Sequence, residues 1–152
     1  MPPLKIVIRG SEQNLLLLQG NTVVATFPVS TSRFGFGFEE GSQRTPTGRF
    51  QISEKIGAEM PANTVFKGRR PHEEERGNSS ADPDLITSRI LWLEGMDPSN
   101  ANTKDRYIYI HGTNQENLIG AQASHGCVRM RKLDIIELFD LVQTGTEVEI
   151  IA

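Results

Sequence analysis

The residues best suited to chemistry gather in the last third of the chain. Ser124-His125-Gly126-Cys127-Val128-Arg129 holds the single cysteine, and His111-Gly112 precedes it. A thiol accompanied by two imidazoles suits covalent catalysis. A free thiol has a pKa of about 8.5, so only a few per cent is thiolate at neutral pH unless an imidazolium or aligned backbone amides stabilise the anion. His111 or His125 could supply that charge. Twelve residues lie between His111 and Ser124, enough for a strand to end at the histidine and a loop to return the thiol beside it. Gly126 lacks a Cβ, so the backbone can turn sharply and aim its N–H and that of Cys127 at one point. Two such amides would make an oxyanion hole, where losing one donor typically costs about 3 kcal/mol of transition-state stabilisation.

A second chemistry draws on the same side chains. His111, His125 and Cys127 could bind zinc as a His2Cys set with an open position for water. No carboxylate base is indicated beside them, and a histidine and cysteine separated by one glycine fit an amide-lined turn better. The expectation is therefore of neither a metal nor a cofactor.

His111-Gly112-Thr113, followed by Ser124-His125-Gly126-Cys127-Val128-Arg129, resembles the signature of the YkuD-type L,D-transpeptidases, bacterial cysteine enzymes that act on peptidoglycan stem peptides. Gly41-Ser42 and Thr45-Pro46-Thr47-Gly48-Arg49-Phe50 form a second family-like segment, so the resemblance covers roughly residues 4–151. The gap after His111 is short compared with some members, and Arg129 stands where others have Asn. The resemblance implies a mainly β, β-sandwich-like YkuD fold with one main helix in the C-terminal half. It assigns Cys127 as nucleophile, His111 as general base and the Gly112 carbonyl as the group orienting the ring; the glycine turn itself points to Gly126 with Cys127 as the oxyanion site. His125 either assists that site or braces the loop. Ser124, Thr113 and Arg129 are candidate substrate contacts, although Ser124 also reads as a loop hydrogen bond and Arg129 as half of an internal salt bridge. Thr45 and Thr47, beside Pro46 and Gly48, read as turn residues.

The implied reaction is attack of the Cys127 thiolate on the carbonyl of the third stem residue, the L-centre of a diamino acid such as meso-diaminopimelate, with loss of the terminal D-alanine. Water then gives an L,D-carboxypeptidase, whereas an amine from a second stem gives a 3–3 cross-link. A catalytically silent wall-peptide binding module is a further alternative. Residues 1–9 show no basic n-region or apolar h-region of a secretory signal, and the longest aliphatic run covers only residues 15–18. With Met1 as the native start, the expectation is a cytoplasmic enzyme hydrolysing muropeptides in cell-wall recycling. A chain trimmed from an exported precursor would belong to the periplasm instead.

Length and charge set wider limits. At 152 residues the chain reads as one domain over residues 1–152, large enough to bury about 70% of its unfolded surface. One cysteine excludes an intrachain disulfide. The net charge of -3 gives no electrostatic reason to bind nucleic acid or an anionic membrane, so peptidoglycan peptides are the expected partners. Oligomeric state has no signature here.

The elements that must position the thiol are mostly strands. Apolar or β-branched runs at 4–8, 15–18 and 22–29, separated by Gly10-Ser11 and Gly20-Asn21, predict a meander. Further strands are predicted at 50–52, 89–93, 106–110 and 147–151, the run at 106–110 delivering His111 to a strand end. The alternating aromatic and glycine residues at 33–38 suggest one packed face and one close backbone approach. A helix is predicted over 133–142, with Leu133, Ile136 and Phe139, joined by Ile135, Leu138 and Val142, on its apolar face and Gly145 as its stop. Residues 57–84 are rich in Gly, Pro, Asn, Ser and charge, with Glu73-Glu74-Glu75 at the centre. They read either as a flap over the site, with Arg69 or Arg70 meeting a substrate carboxylate, or as a solvated insertion.

Overall fold

A computed structural model describes residues 2–72 and 84–152. Strands β1 (Leu4–Arg9), β2 (Asn14–Gln19) and β3 (Thr22–Pro28) form an antiparallel meander. Ile6 and Ile8 are buried with Leu15 and Leu17, the alternation expected when one face of a sheet meets a core. The last strand, β10 (Glu147–Ile151), lies parallel to β1 and antiparallel to β4 (Gly48–Ile56), which pairs with β7 (Ile86–Gly95). Beyond β7 come β8 (Tyr109–Thr113), antiparallel to it, and β9 (Val128–Met130), parallel to β8. A short hairpin, β5 (Val65–Lys67) and β6 (Arg70–His72), joins β7 through β5.

The two ends of this array meet. Ser30, just after β3, exchanges two backbone hydrogen bonds of 2.9 Å with Arg129, and Ser32 bridges Ser124. The sheet therefore curls around a single main core, to which Phe50, Leu91, Ile110, Val128 and Ile150 contribute from successive strands. Helix α1 (Lys132–Leu141) packs on β7 and β8 through Ile135, Leu138 and Phe139. Among the described residues, no helix is long and apolar enough to cross a membrane.

Several local expectations shift. The segment predicted at 106–110 forms strand only from Tyr109, and β8 continues to Thr113, so His111 sits inside the strand and not at its end. Residues 33–38 form no strand; Phe36 packs on the core while Phe34 is half exposed. Leu133 is 75% exposed, because the helix turns its Ile135, Leu138 and Phe139 stripe inward and leaves the stripe through Leu133 on its flank. Part of the predicted 57–84 flap is the ordered β5–β6 hairpin; residues 73–83, including Glu73-Glu74-Glu75, lie outside the described residues.

Phe50 is fully buried, whereas Leu133 is not. In urea unfolding, Phe50→Ala is expected to lower stability by about 3–5 kcal/mol, and Leu133→Ala to stay within about 0.5 kcal/mol of the parent. Equal losses would contradict the observed rotation of the helix.

Candidate active site

Alternation along β8 and β9 sorts their side chains onto two faces. Ile108, Ile110, Val128 and Met130 enter the main core. Tyr109, His111, Cys127 and Arg129 take the opposite face, where Cys127 and Trp92 pack against a smaller cluster of Phe66, Ile90 and Tyr109. The parallel register pairs His111 with Arg129, which leaves Cys127, two residues earlier, diagonal to His111 on the same face. Diagonal neighbours in a sheet are about 7–8 Å apart at their Cα atoms, within reach of longer side chains.

His111 is 3% exposed, and its Nδ1 lies 2.5 Å from the Gly112 carbonyl oxygen. A ring nitrogen facing a carbonyl must carry the hydrogen, so Nδ1–H donates and Nε2 presents a lone pair. Burial holds the His111 pKa below the usual histidine value, against the raising effects of the Gly112 carbonyl and Asp84. Gly112 is required by space. A Cβ there would meet Thr87 O and Oγ1 at 2.8 Å and Ser88 Oγ at 2.9 Å, where β7 bulges out of register.

The Cys127 sulfur accepts a hydrogen bond from the Tyr109 amide at 3.3 Å and donates to the Tyr107 carbonyl at 3.4 Å. Packed protein around it pushes the thiol pKa up to about 11, outweighing the opposing effect of the Tyr109 amide. The resting pair is thus a neutral thiol and a neutral imidazole. This differs from the thiolate and imidazolium pictured from sequence, because desolvation penalises both charged forms.

Gly126 adopts φ 125°, a conformation other residues rarely take. The turn it allows closes on itself: Ser124 Oγ accepts the Gly126 N–H at 3.3 Å and donates to the Cys127 carbonyl at 2.6 Å. The expected pair of converging amides is corrected accordingly, since the Gly126 amide is directed at Ser124 and only the Cys127 amide is left for an oxyanion. Ser124 is a loop brace. So is Thr45, expected to serve a turn, whose Oγ1 donates to the Gly126 carbonyl at 2.9 Å while accepting the Ser32 N–H at 3.0 Å.

Asp84 gathers the remaining polar groups, and sequence inspection missed it at the end of a long polar stretch. Its carboxylate lies 2.9 Å from Arg129 Nη1, 3.4 Å from Thr113 Oγ1 and 3.6 Å from His125 Nδ1. Arg129 and Thr113 have no exposed surface, and Arg129 also donates to Gln115 Oε1 at 2.9 Å. Both were candidates to touch substrate; in the structure they face inward, and Arg129 takes the internal salt bridge that was its alternative. His125 stands at the rim with its side chain 46% exposed. Among the described residues, no group of three or more His, Cys, Asp or Glu side chains is placed to hold a metal ion, so His111, His125 and Cys127 do not converge as a ligand set.

Asp84 raises the pKa of both His111 and Cys127, and Arg129 lowers both. Asp84→Asn removes the raising charge, so the Cys127 pKa should fall and its alkylation by iodoacetamide should move to lower pH. It also strands a buried guanidinium, which costs about 3 kcal/mol or more, so thermal stability should drop as well. An alkylation profile that stayed in place or moved to higher pH would contradict this electrostatic arrangement.

Comparison with known proteins identifies the family. A profile of the YkuD family, the L,D-transpeptidase catalytic domain, matches residues 3–150. The chain is 52% identical to the probable L,D-transpeptidase YbiS of Escherichia coli K12 over 96% of its own length and 44% of that protein's. It is 25% identical to the putative L,D-transpeptidase YqjB of Bacillus subtilis, over 94% of this chain and 68% of the relative. Among solved structures, an L,D-transpeptidase from Mycobacterium smegmatis superposes with a TM-score of 0.64 at 16% identity, covering 99% of this chain and 59% of that one. L,D-transpeptidase 3 from Mycobacterium tuberculosis, in complex with a faropenem-derived adduct, gives a TM-score of 0.60 at 16% identity, covering 99% and 61%. The chain thus spans about half of YbiS and three fifths of the two solved proteins, and it belongs to the YkuD family of L,D-transpeptidase catalytic domains.

Proposed function

We propose that Cys127 forms a thioester with the third residue of a peptidoglycan stem tetrapeptide and releases the terminal D-alanine. The observation that carries this reading is the His111 ring: Nδ1 is committed to the Gly112 carbonyl, and Nε2 is left as a base on the face that Cys127 shares. His111 Nε2 takes the thiol proton as sulfur attacks the carbonyl of the L-centre, so no resting thiolate is needed. The oxyanion is met by the Cys127 amide. Collapse of the tetrahedral intermediate transfers the imidazolium proton to the departing amine of D-alanine, leaving the acyl-enzyme and neutral His111.

Relatives at 50–52% identity are named probable L,D-transpeptidases, which supports transfer to an amine acceptor over transfer to water; a second stem as that acceptor gives a 3–3 cross-link. A cleft of about 310 Å³ between Tyr107 and His125, lined also by Glu40, Asp105 and Arg106, offers room for a polar acceptor and supports the same reading. Hydrolysis to a tripeptide, as in muropeptide recycling, is the second reading, favoured by the open rim where Tyr107 is 53% exposed.

Incubation with a disaccharide-tetrapeptide, followed by mass spectrometry, is expected to yield dimers with loss of D-alanine and a transient acyl adduct on Cys127. Tripeptide without dimers would select hydrolysis. Cys127→Ala should abolish both products, and full activity in that variant would sink the covalent mechanism.

A further inference from the structure

The turn of the β5–β6 hairpin places a guanidinium against the side chains of two tyrosines whose backbone groups contact the thiol. Lys67 pairs with Arg70 across a two-residue turn, and its central residues, Gly68 and Arg69, have φ 55° and 65°. Two consecutive positive φ values define the tight hairpin turn that usually takes Asn-Gly or Gly-Gly. An arginine in that conformation is uncommon, and here it aims the side chain back across β7. Arg69 Cζ lies 4.8 Å from the centroid of Trp92 and 5.1 Å from that of Tyr107, and Nη1 donates to the Tyr109 hydroxyl at 3.2 Å.

The same two tyrosines hold the sulfur of Cys127, Tyr109 through its amide and Tyr107 through its carbonyl. Thiol and guanidinium are thus fixed to one pair of residues. Among the described residues, the carboxylate acting on Arg69 is Glu54, the weakest influence on it, and Glu54 is 3.7 Å from Lys104. Stacking on the two rings and one hydrogen bond fix the plane of the guanidinium without neutralising its charge. A planar cation held in this way is suited to bidentate recognition of a carboxylate.

We infer that Arg69 is a substrate-binding residue that receives a carboxylate of the stem peptide next to the bond Cys127 cleaves. The inference rests on the acyl-transfer reading above. Two carboxylates flank that bond in a diaminopimelate stem: the terminal D-alanine carboxylate, and the one on the diamino acid side chain. Either has the chemistry Arg69 recognises.

The test compares wild type, Arg69→Gln and Arg69→Lys on the free tetrapeptide, on its C-terminal D-alaninamide, and on the form amidated at the diamino acid side chain. On the free peptide, Arg69→Gln is expected to lower kcat/KM about ten- to a hundredfold, the range for a charge-assisted hydrogen bond, mainly by raising KM, with Arg69→Lys in between. Wild type should lose a similar factor on one of the amides, and on that amide Arg69→Gln should equal wild type, which identifies the carboxylate. Iodoacetamide alkylation of Cys127 should proceed at the parent rate in Arg69→Gln. Equal losses on all three peptides, a slowed alkylation, or no loss on any peptide would overturn the inference. Turnover by Cys127→Ala would overturn the acyl-transfer reading instead, and so separates the two failures.

Discussion

Parallel pairing of β8 with β9 is the constraint on which the site depends. Side chains alternate with a period of two, so a slip of one residue would drive Cys127 into the core and bring Val128 to the surface beside His111. Three devices oppose that slip. Ile110 and Val128 are both locked into the main core. Ser30 clasps the backbone of Arg129 from the far end of the sheet, and Thr45 holds the carbonyl of Gly126 from a separate segment. Closure of the sheet and placement of the thiol are therefore one packing problem.

The electrostatics of the site follow from that burial. Enclosing a thiol and an imidazole raises one pKa and lowers the other, so charge separation is postponed until an electrophile is in place. A thiol kept protonated between turnovers reacts slowly with small oxidants and alkylating agents. Asp84 and Arg129 act on the same two groups with opposite signs. Their ion pair also ties the segment leading into β7 to β9. With His125 at the rim and Arg129 beneath it, Asp84 anchors both the outer and the inner side of the cysteine loop.

What could be read from the sequence was local. The thiol, its two histidines and the glycine turn are a matter of residue type and spacing, and strands β1, β2 and β10 show as short apolar or β-branched runs. Contacts between distant segments left no such trace. Nothing near Asp84 marks it as the partner of Arg129, and nothing in Ser124-His125-Gly126 shows that the serine hydroxyl will take the glycine amide. Strands β5, β6 and β9 have three residues each, too short for a period to emerge. Gly68-Arg69 lacks the usual hairpin dipeptide, which hid the turn inside a polar stretch. In the helix, two overlapping apolar stripes share Phe139, and packing against β7 and β8 selected the one that excludes Leu133.

The position of β10 has a consequence for the order in which the molecule can assemble. The meander β1–β3 gains its sheet neighbour on the β1 side from β10, and β4 likewise pairs with β10 on one edge. β10 follows every other strand of this sheet in chain order, yet it lies between the first four. During synthesis the meander and β4 therefore emerge with unpaired edges that no earlier strand can cover, and they wait through roughly a hundred residues of chain growth. Such non-local pairing slows folding and exposes strand edges to wrong partners. Lys5 sits on β1 facing this gap and later bridges Glu147 and Glu149 of β10. A charged residue at that edge discourages premature pairing and becomes a fastening once the proper strand arrives.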